Sequence, residues 1–386
     1  MPLSRRSVLI AGLVVSSGVG SAIAAGPGTT GSIARAGGSG EGLPVEALVG
    51  QMLVVGFRGD EPDTPGAEAV RGWLAAGKVG GVIFFEDNLA SPAAALRLTR
   101  AFRQAAGPRR TPLLAIDQEG GAVARLRPER GFKALPAARE VAAREGVGEA
   151  FARYEDLARE LSRLGFNVNF GPVVDLDLNR GSRIISGLGR SFGTDPATVS
   201  NYARVFIAAH REAGVMTAAK HFPGHGSTAL DSHDTLPDIT AEWRSEELAP
   251  FADLTSDGLV PMIMVGHLVH RGMTGAGTPA SLSRKAVTAL LRDKLGFQGL
   301  IVTDDMHMGA VRGNFSFEQA VLLAVEAGND LLVFSNREWA DTNLPDRVAA
   351  VIRAAVDSGR ISRERLLESY RRIIAAEGGR RLASRR

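Results

Sequence analysis

Short apolar stretches of strand length recur along the chain, at residues 51–57, 81–85, 113–116, 168–174, 216–219, 261–265, 300–303 and 330–334. The segments between them carry helix signals. Ser91 and Pro92 supply an N-cap and a first-turn proline, Leu96, Leu98 and Phe102 give an apolar face, and Gly107 is a stop. Ahead of Gly165, the residues Phe151, Tyr154, Leu157, Leu161 and Leu164 fall at three- and four-residue spacing, the period of a helix with one buried stripe. Near-continuous apolar strands that alternate with helices predict a parallel sheet covered on both faces. Eight such units predict an α/β fold closed into a (β/α)8 TIM-type barrel rather than an open doubly wound sheet.

Polar residues stand where such a barrel places its chemistry, at the C-terminal ends of the strands. Asp117 follows the third strand, Asp175 the fourth, Lys220 and His221 the fifth, His267 the sixth and Asp304 the seventh. Chance capping of strand ends does not account for five of eight. The densest cluster is Lys220-His221-Phe222-Pro223-Gly224-His225-Gly226 with Asp231-Ser232-His233 beyond it. Its glycines and proline predict a loop shaped to place side chains. Asp231, two residues before His233, is placed to orient the imidazole and raise its basicity, which makes a proton-transfer pair. Asp304, at the end of a β-branched strand, is the candidate nucleophile, and Asp305 a turn or helix cap. Asp117-Gln118-Glu119-Gly120-Gly121 with Arg125 suits sugar hydroxyls, which need acceptors and donors together; alone it reads as a strand-to-helix turn with a capping aspartate. Arg190, in Gly189-Arg190-Ser191-Phe192-Gly193, reads alone as a surface arginine and in company as a donor to a hydroxyl or amide carbonyl. A metal held by the aspartate pair with His221, His225 or His233 is disfavoured, because Lys220 repels a cation and no H-x-H or HExxH spacing occurs.

Composition narrows the partners. The net charge is +3 and aromatics are 6% of residues, not interleaved with a basic stripe, so nucleic acid is not an expected partner. Cysteine is absent, which removes disulfides, thiolate metal sites and a lipidation site. At the N-terminus, Arg5-Arg6 precede an apolar run over 8–19 and then Ala22-Ile23-Ala24, the pattern of a twin-arginine export signal over 1–24, cleaved before Ala25. The run is short of the roughly 20 residues that span a bilayer, so no stable membrane anchor is expected. A Gly/Ser/Thr-rich stretch over 25–43 predicts a flexible tether, 44–377 the barrel domain, and 378–386 a basic tail. The expected product is a periplasmic or extracellular monomer without metal or organic cofactor.

DQEGG, GRSFG, KHFPGHG with DSH and LP, and VTDDM, taken together over roughly residues 50–336, resemble the β-N-acetylhexosaminidases of glycoside hydrolase family 3, the NagZ-like group. That resemblance implies Asp304 as catalytic nucleophile, His233 as general acid/base and Asp231 as its partner. It implies that Asp117 binds sugar hydroxyls and that Arg125, Arg190, Lys220 and His221 grip a terminal N-acetylglucosamine, with His225 shaping the loop. The implied reaction is retaining exo-hydrolysis of terminal β-linked N-acetylglucosamine, from peptidoglycan fragments or chitooligosaccharides, through a covalent glycosyl-aspartate. The chain departs from the family at His307, where a small polar residue is usual, and over 183–187, an altered turn; both bear on the leaving sugar. A phosphorylase of the same family is the nearest alternative, since a neutral histidine repels phosphate less than a carboxylate does. A noncatalytic wall-sugar-binding protein predicts damage to the nucleophile or the Asp–His pair, and both are intact. A β-glucosidase-type relative is expected to carry a further C-terminal domain supplying a glutamate acid, for which this sequence has no room.

Overall fold

The computed structural model describes residues 40–338 and 340–383; the predicted export signal, the tether up to residue 39 and residues 384–386 lie outside the described residues. In chain order the strands are β1 (Leu53–Val55), β2 (Gly81–Phe84), β3 (Leu113–Ile116), β4 (Gln118–Gly120), β5 (Val123–Ala124), β6 (Val168–Asn169), β7 (Met216–Phe222), β8 (Met262–Val265), β9 (Leu300–Asp305) and β10 (Leu331–Phe334). Eight of them form a closed barrel in the order β1-β2-β3-β6-β7-β8-β9-β10, with β10 returning to β1 through the register Val54↔Val333. Every barrel pairing is parallel.

The helices form for the reasons their sequences give. Ser91 Oγ accepts from the Ala94 amide at 3.2 Å, Pro92 opens the helix Pro92–Ala106, and Gly107 ends it. The helix Val147–Leu164 buries Tyr154, Leu157, Leu161 and Leu164, leaves Phe151 half-buried, and stops at Gly165 with φ 92°. Tyr154 packs edge-on to Phe206 of the next helix at 4.8 Å. Phe57, Phe84, Phe102 and Phe166 meet at 5.1 to 5.6 Å between the barrel wall and its helices. Each fully buried side chain of this size contributes roughly 1.5–3 kcal/mol.

Three local departures from the sequence reading matter for the site. The fourth barrel strand is shorter than 168–174: Pro172 has no N–H for the ladder, and pairing resumes only at the bridge Val173↔Lys220. The fifth is longer than 216–219, because Lys220, His221 and Phe222 remain buried strand and the loop begins at Pro223. DQEGG does not lead into a helix; it folds as the antiparallel ribbon β4–β5, with Gln118 Oε1 accepting the Arg125 and Leu126 amides. At the N-terminal end of the described residues, within the predicted tether, Arg363 donates to the Glu41 and Leu43 carbonyls. At the far end the helix Arg363–Ala383 continues into the predicted tail. Among the described residues, no helix is long and apolar enough to cross a membrane.

Candidate active site

β3 and its ribbon place two carboxylates over the barrel mouth. Asn169 on β6 holds the ribbon in register: its Oδ1 accepts the Gln118 amide and its Nδ2 donates to the Gln118 carbonyl, both at 3.0 Å. Asp117 and Glu119 therefore converge on Lys220, whose Nζ lies 2.8 Å from Asp117 Oδ1 and 2.7 Å from Glu119 Oε1. Arg190 grips the same glutamate with two bonds, Nε to Oε2 at 2.7 Å and Nη2 to Oε1 at 2.8 Å. Arg190 is 8% exposed and Lys220 3%, which rules out the surface-arginine reading. Burial works against every charge here, but opposite charges outweigh it. Lys220 and Arg125 hold Asp117 below the usual carboxylate range, Arg190 and Lys220 do the same to Glu119, and Lys220 is raised by Asp117 and Glu119. Arg125 lies 3.5 Å from the second oxygen of Asp117.

Asp175, beyond β6, anchors the other half of the pocket. It is 1% exposed and accepts the His221 amide, the His225 amide at 2.8 Å and His221 Nδ1–H at 2.7 Å. That bond leaves His221 Nε2 as an acceptor, facing Arg190 Nη2 at 3.4 Å. Ser191 Oγ donates to the Asp175 carbonyl at 2.6 Å and so pins the turn that carries Arg190. The Lys220–His221 and Phe222–Pro223 peptide bonds are both cis. Past them, Gly224 turns at φ 120°, which a side chain rarely adopts, and Glu247 accepts from the Gly226 amide and Ser227 Oγ to hold the turn. His225 is 2% exposed with both ring nitrogens unpartnered among the described residues, and burial pushes its pKa down to about 4.

Asp304 closes the site on β9. Its Oδ1 accepts the Asp305 amide at 2.8 Å. Burial would raise its pKa, but the fields of His221, His267 and His233 and that amide hold it down to about 2. A carboxylate so held stays ionised at neutral pH, as a nucleophile requires. His267 is fully buried; its Nδ1 accepts from Ser281 Oγ at 2.6 Å, so its Nε2 donates to the Asp305 carbonyl at 2.9 Å and fixes the backbone behind the nucleophile. Asp305 turns away, accepting the His307 and Ser335 amides.

On the loop after β7, Asp231 Oδ1 accepts His233 Nδ1–H at 2.7 Å. The His233 side chain is 64% exposed, facing the solvent a leaving group would enter. His307 lies elsewhere, edge-on to Phe334 at 5.3 Å and lining a cavity of about 250 Å³ with Phe315, Phe317 and Arg347. Among the described residues, no group of three or more His, Asp or Glu side chains is placed to hold a metal ion. All eight residues singled out in sequence thus come to one barrel mouth. Reading in sequence gave no role to Glu119, and left Asp175 and His267 as strand-end residues; the signal for all three was their position after a strand.

The family described as glycosyl hydrolase family 3 N terminal domain matches residues 45–376. A β-hexosaminidase of Xylella fastidiosa is 36% identical over 310 residues, 76% of this chain and 86% of the relative. Beta-hexosaminidase A of Pseudoalteromonas piscicida is 31% identical over 76% of this chain, which spans about half (52%) of that protein's length. The solved glycoside hydrolase family 3 β-N-acetylglucosaminidase of Paenibacillus superposes with a TM-score of 0.80 at 33% identity, over 88% of this chain and 63% of its own.

Proposed function

We propose, from the premise that this chain belongs to glycosyl hydrolase family 3, that it is a retaining exo-β-N-acetylglucosaminidase. The observation that carries the reading is that Asp304 ends β9 while the Asp231–His233 pair, bonded at 2.7 Å with His233 open to solvent, is joined to the segment leaving that strand by the Gly309 amide on the His233 carbonyl at 2.9 Å. Asp304 attacks the anomeric carbon while His233 protonates the departing oxygen. The bond to the leaving sugar breaks as the bond to the aspartate forms. A water that His233 deprotonates then releases the sugar with its configuration retained. Histidine replaces the usual second carboxylic acid, and an imidazole can both give and take a proton near neutrality. Asp117, Arg125, Lys220, His221 and Arg190 hold the terminal sugar; the charges of buried Lys220 and Arg190 are matched by Asp117 and Glu119 before substrate arrives, which favours a rigid pocket.

The substrate class proposed is a peptidoglycan fragment or a chitooligosaccharide with a terminal β-linked N-acetylglucosamine, met outside the cytoplasm after twin-arginine export. Two substrates, N-acetylglucosaminyl-anhydro-N-acetylmuramic acid and chitobiose, test this when incubated with and without phosphate and followed by mass spectrometry. Release of free N-acetylglucosamine in both conditions supports the reading. Formation of N-acetylglucosamine 1-phosphate makes the protein a phosphorylase, and no cleavage of either contradicts the proposal.

A further inference from the structure

The segment that leaves the nucleophile strand has a second contact with the chemistry. The Gly309 amide donates to the His233 carbonyl at 2.9 Å, and the Ala310 amide donates to the Ser232 carbonyl at 3.2 Å. The loop that carries the proton donor thus rests on the backbone five residues after the nucleophile. A Cβ at position 309 would lie 2.5 Å from the His233 carbonyl oxygen and 2.8 Å from that of Asp234, closer than real Cβ contacts come. Both obstructing atoms are backbone, so no side-chain rotation relieves the clash. The demand for glycine here is steric and not conformational, because φ at 309 is not in the left-handed region.

The path from Asp304 to Gly309 is short and stiff. Asp305 Oδ1 takes the His307 and Ser335 amides, and the Asp305 carbonyl takes the Met308 amide at 3.0 Å. The loop itself has less to hold it. His233 and Asp234 side chains are 64% and 67% exposed, and the Arg183–Asp234 pair at 3.5 Å is a surface contact. The two amides at 309 and 310 tie this loop to the segment that leaves the nucleophile strand.

We propose that Gly309 is a positioning residue for catalysis: by lacking a side chain, it lets the acid/base loop dock on the nucleophile segment and sets where His233 meets the leaving oxygen. This rests on the reading of His233 as the proton donor. A shift of about 1 Å at a reacting group costs up to roughly 100-fold in rate. The loss should fall on substrates that need the proton, because an activated leaving group departs without one.

The test compares wild type, Gly309→Ala and His233→Ala. It measures kcat/KM for a natural disaccharide and for an aryl N-acetylglucosaminide with an activated leaving group, alongside covalent labelling of Asp304 by an activated 5-fluoro analogue of N-acetylglucosamine. The expected result for Gly309→Ala is a roughly 10- to 100-fold loss on the disaccharide, less than about 3-fold on the aryl substrate, and unchanged labelling. Equal losses on both substrates, or none, overturn the role of Gly309. If His233→Ala also fails to separate the two substrates, the fault lies in the assignment of the acid. Should the alanine variant not fold, hydrogen exchange in the wild-type protein decides: the Gly309 and Ala310 amides are expected to be protected. Exchange there as fast as in a free loop overturns the docking.

Discussion

Asp231 accepts two hydrogen bonds from His233 through one carboxylate oxygen, the backbone amide at 2.9 Å and Nδ1–H at 2.7 Å. The first bond fixes where the residue stands and the second fixes which nitrogen carries the proton, so Nε2 is the atom left for the substrate. Replacing Asp231 by Asn keeps an acceptor but removes the charge that favours the imidazolium. The expected effect of Asp231→Asn is a loss of about 10²–10⁴-fold in kcat/KM for disaccharides, with a smaller loss on activated aryl glycosides. Steady-state kinetics on the two substrate classes checks it, and a uniform loss would count against the pair as a proton-transfer unit.

The ion network around Glu119 should act on stability as well as on binding. Lys220, Arg190 and Glu119 are buried together, so removing one partner leaves an uncompensated charge out of water. Glu119→Ala is expected to cost about 3–5 kcal/mol of unfolding free energy, read from urea denaturation with and without the substitution. A variant as stable as wild type would mean that water reaches these cations once the carboxylate is gone.

Two buried histidines set a pH dependence of stability. Burial lowers His225 and His210 from 6.5 to about 4 each; His210 donates Nδ1–H to the Phe206 carbonyl and accepts from Asn169 at Nε2. Between pH 6.5 and 4 the unfolded chain takes up these protons and the folded chain does not. Stability contributed by the neutral rings is therefore complete above 6.5 and is lost progressively as pH falls toward 4, on the order of 3 kcal/mol per ring. Unfolding free energy measured from pH 7 to 4 should fall, and His210→Asn should flatten the slope. An unchanged slope in that variant contradicts the assignment.

Export through the twin-arginine route predicts that Arg5→Lys/Arg6→Lys holds the protein in the cytoplasm. Fractionation of cells expressing each form reads this directly, and equal distribution of the two forms would remove the proposed location.

The barrel was legible because eight apolar runs carry their strand character locally, and because the caps at Ser91 and Gly165 depend only on neighbours in sequence. The strand-end positions of Asp117, Lys220, His221 and Asp304 were legible for the same reason. Less legible was anything set by distant partners. Arg190 reads alone as a surface residue, and its burial depends on Glu119, 71 positions away. The DQEGG ribbon depends on Asn169 of the neighbouring strand β6, 51 positions from Gln118. The docking of His233 on Gly309 has no trace in either segment alone, because it depends on the space that the fold brings between them.

Asp304→Ala should lower turnover by roughly 10⁴-fold or more, in the range expected for loss of a nucleophile. The most direct measurement is labelling of the wild-type protein with an activated 5-fluoro analogue of N-acetylglucosamine that keeps the 2-acetamido group, followed by peptide mass spectrometry. One sugar bound covalently to Asp304 is the expected result. An inhibited enzyme with no adduct, or with the adduct on another residue, would contradict it; the first outcome would point to attack by the substrate's own acetamido oxygen.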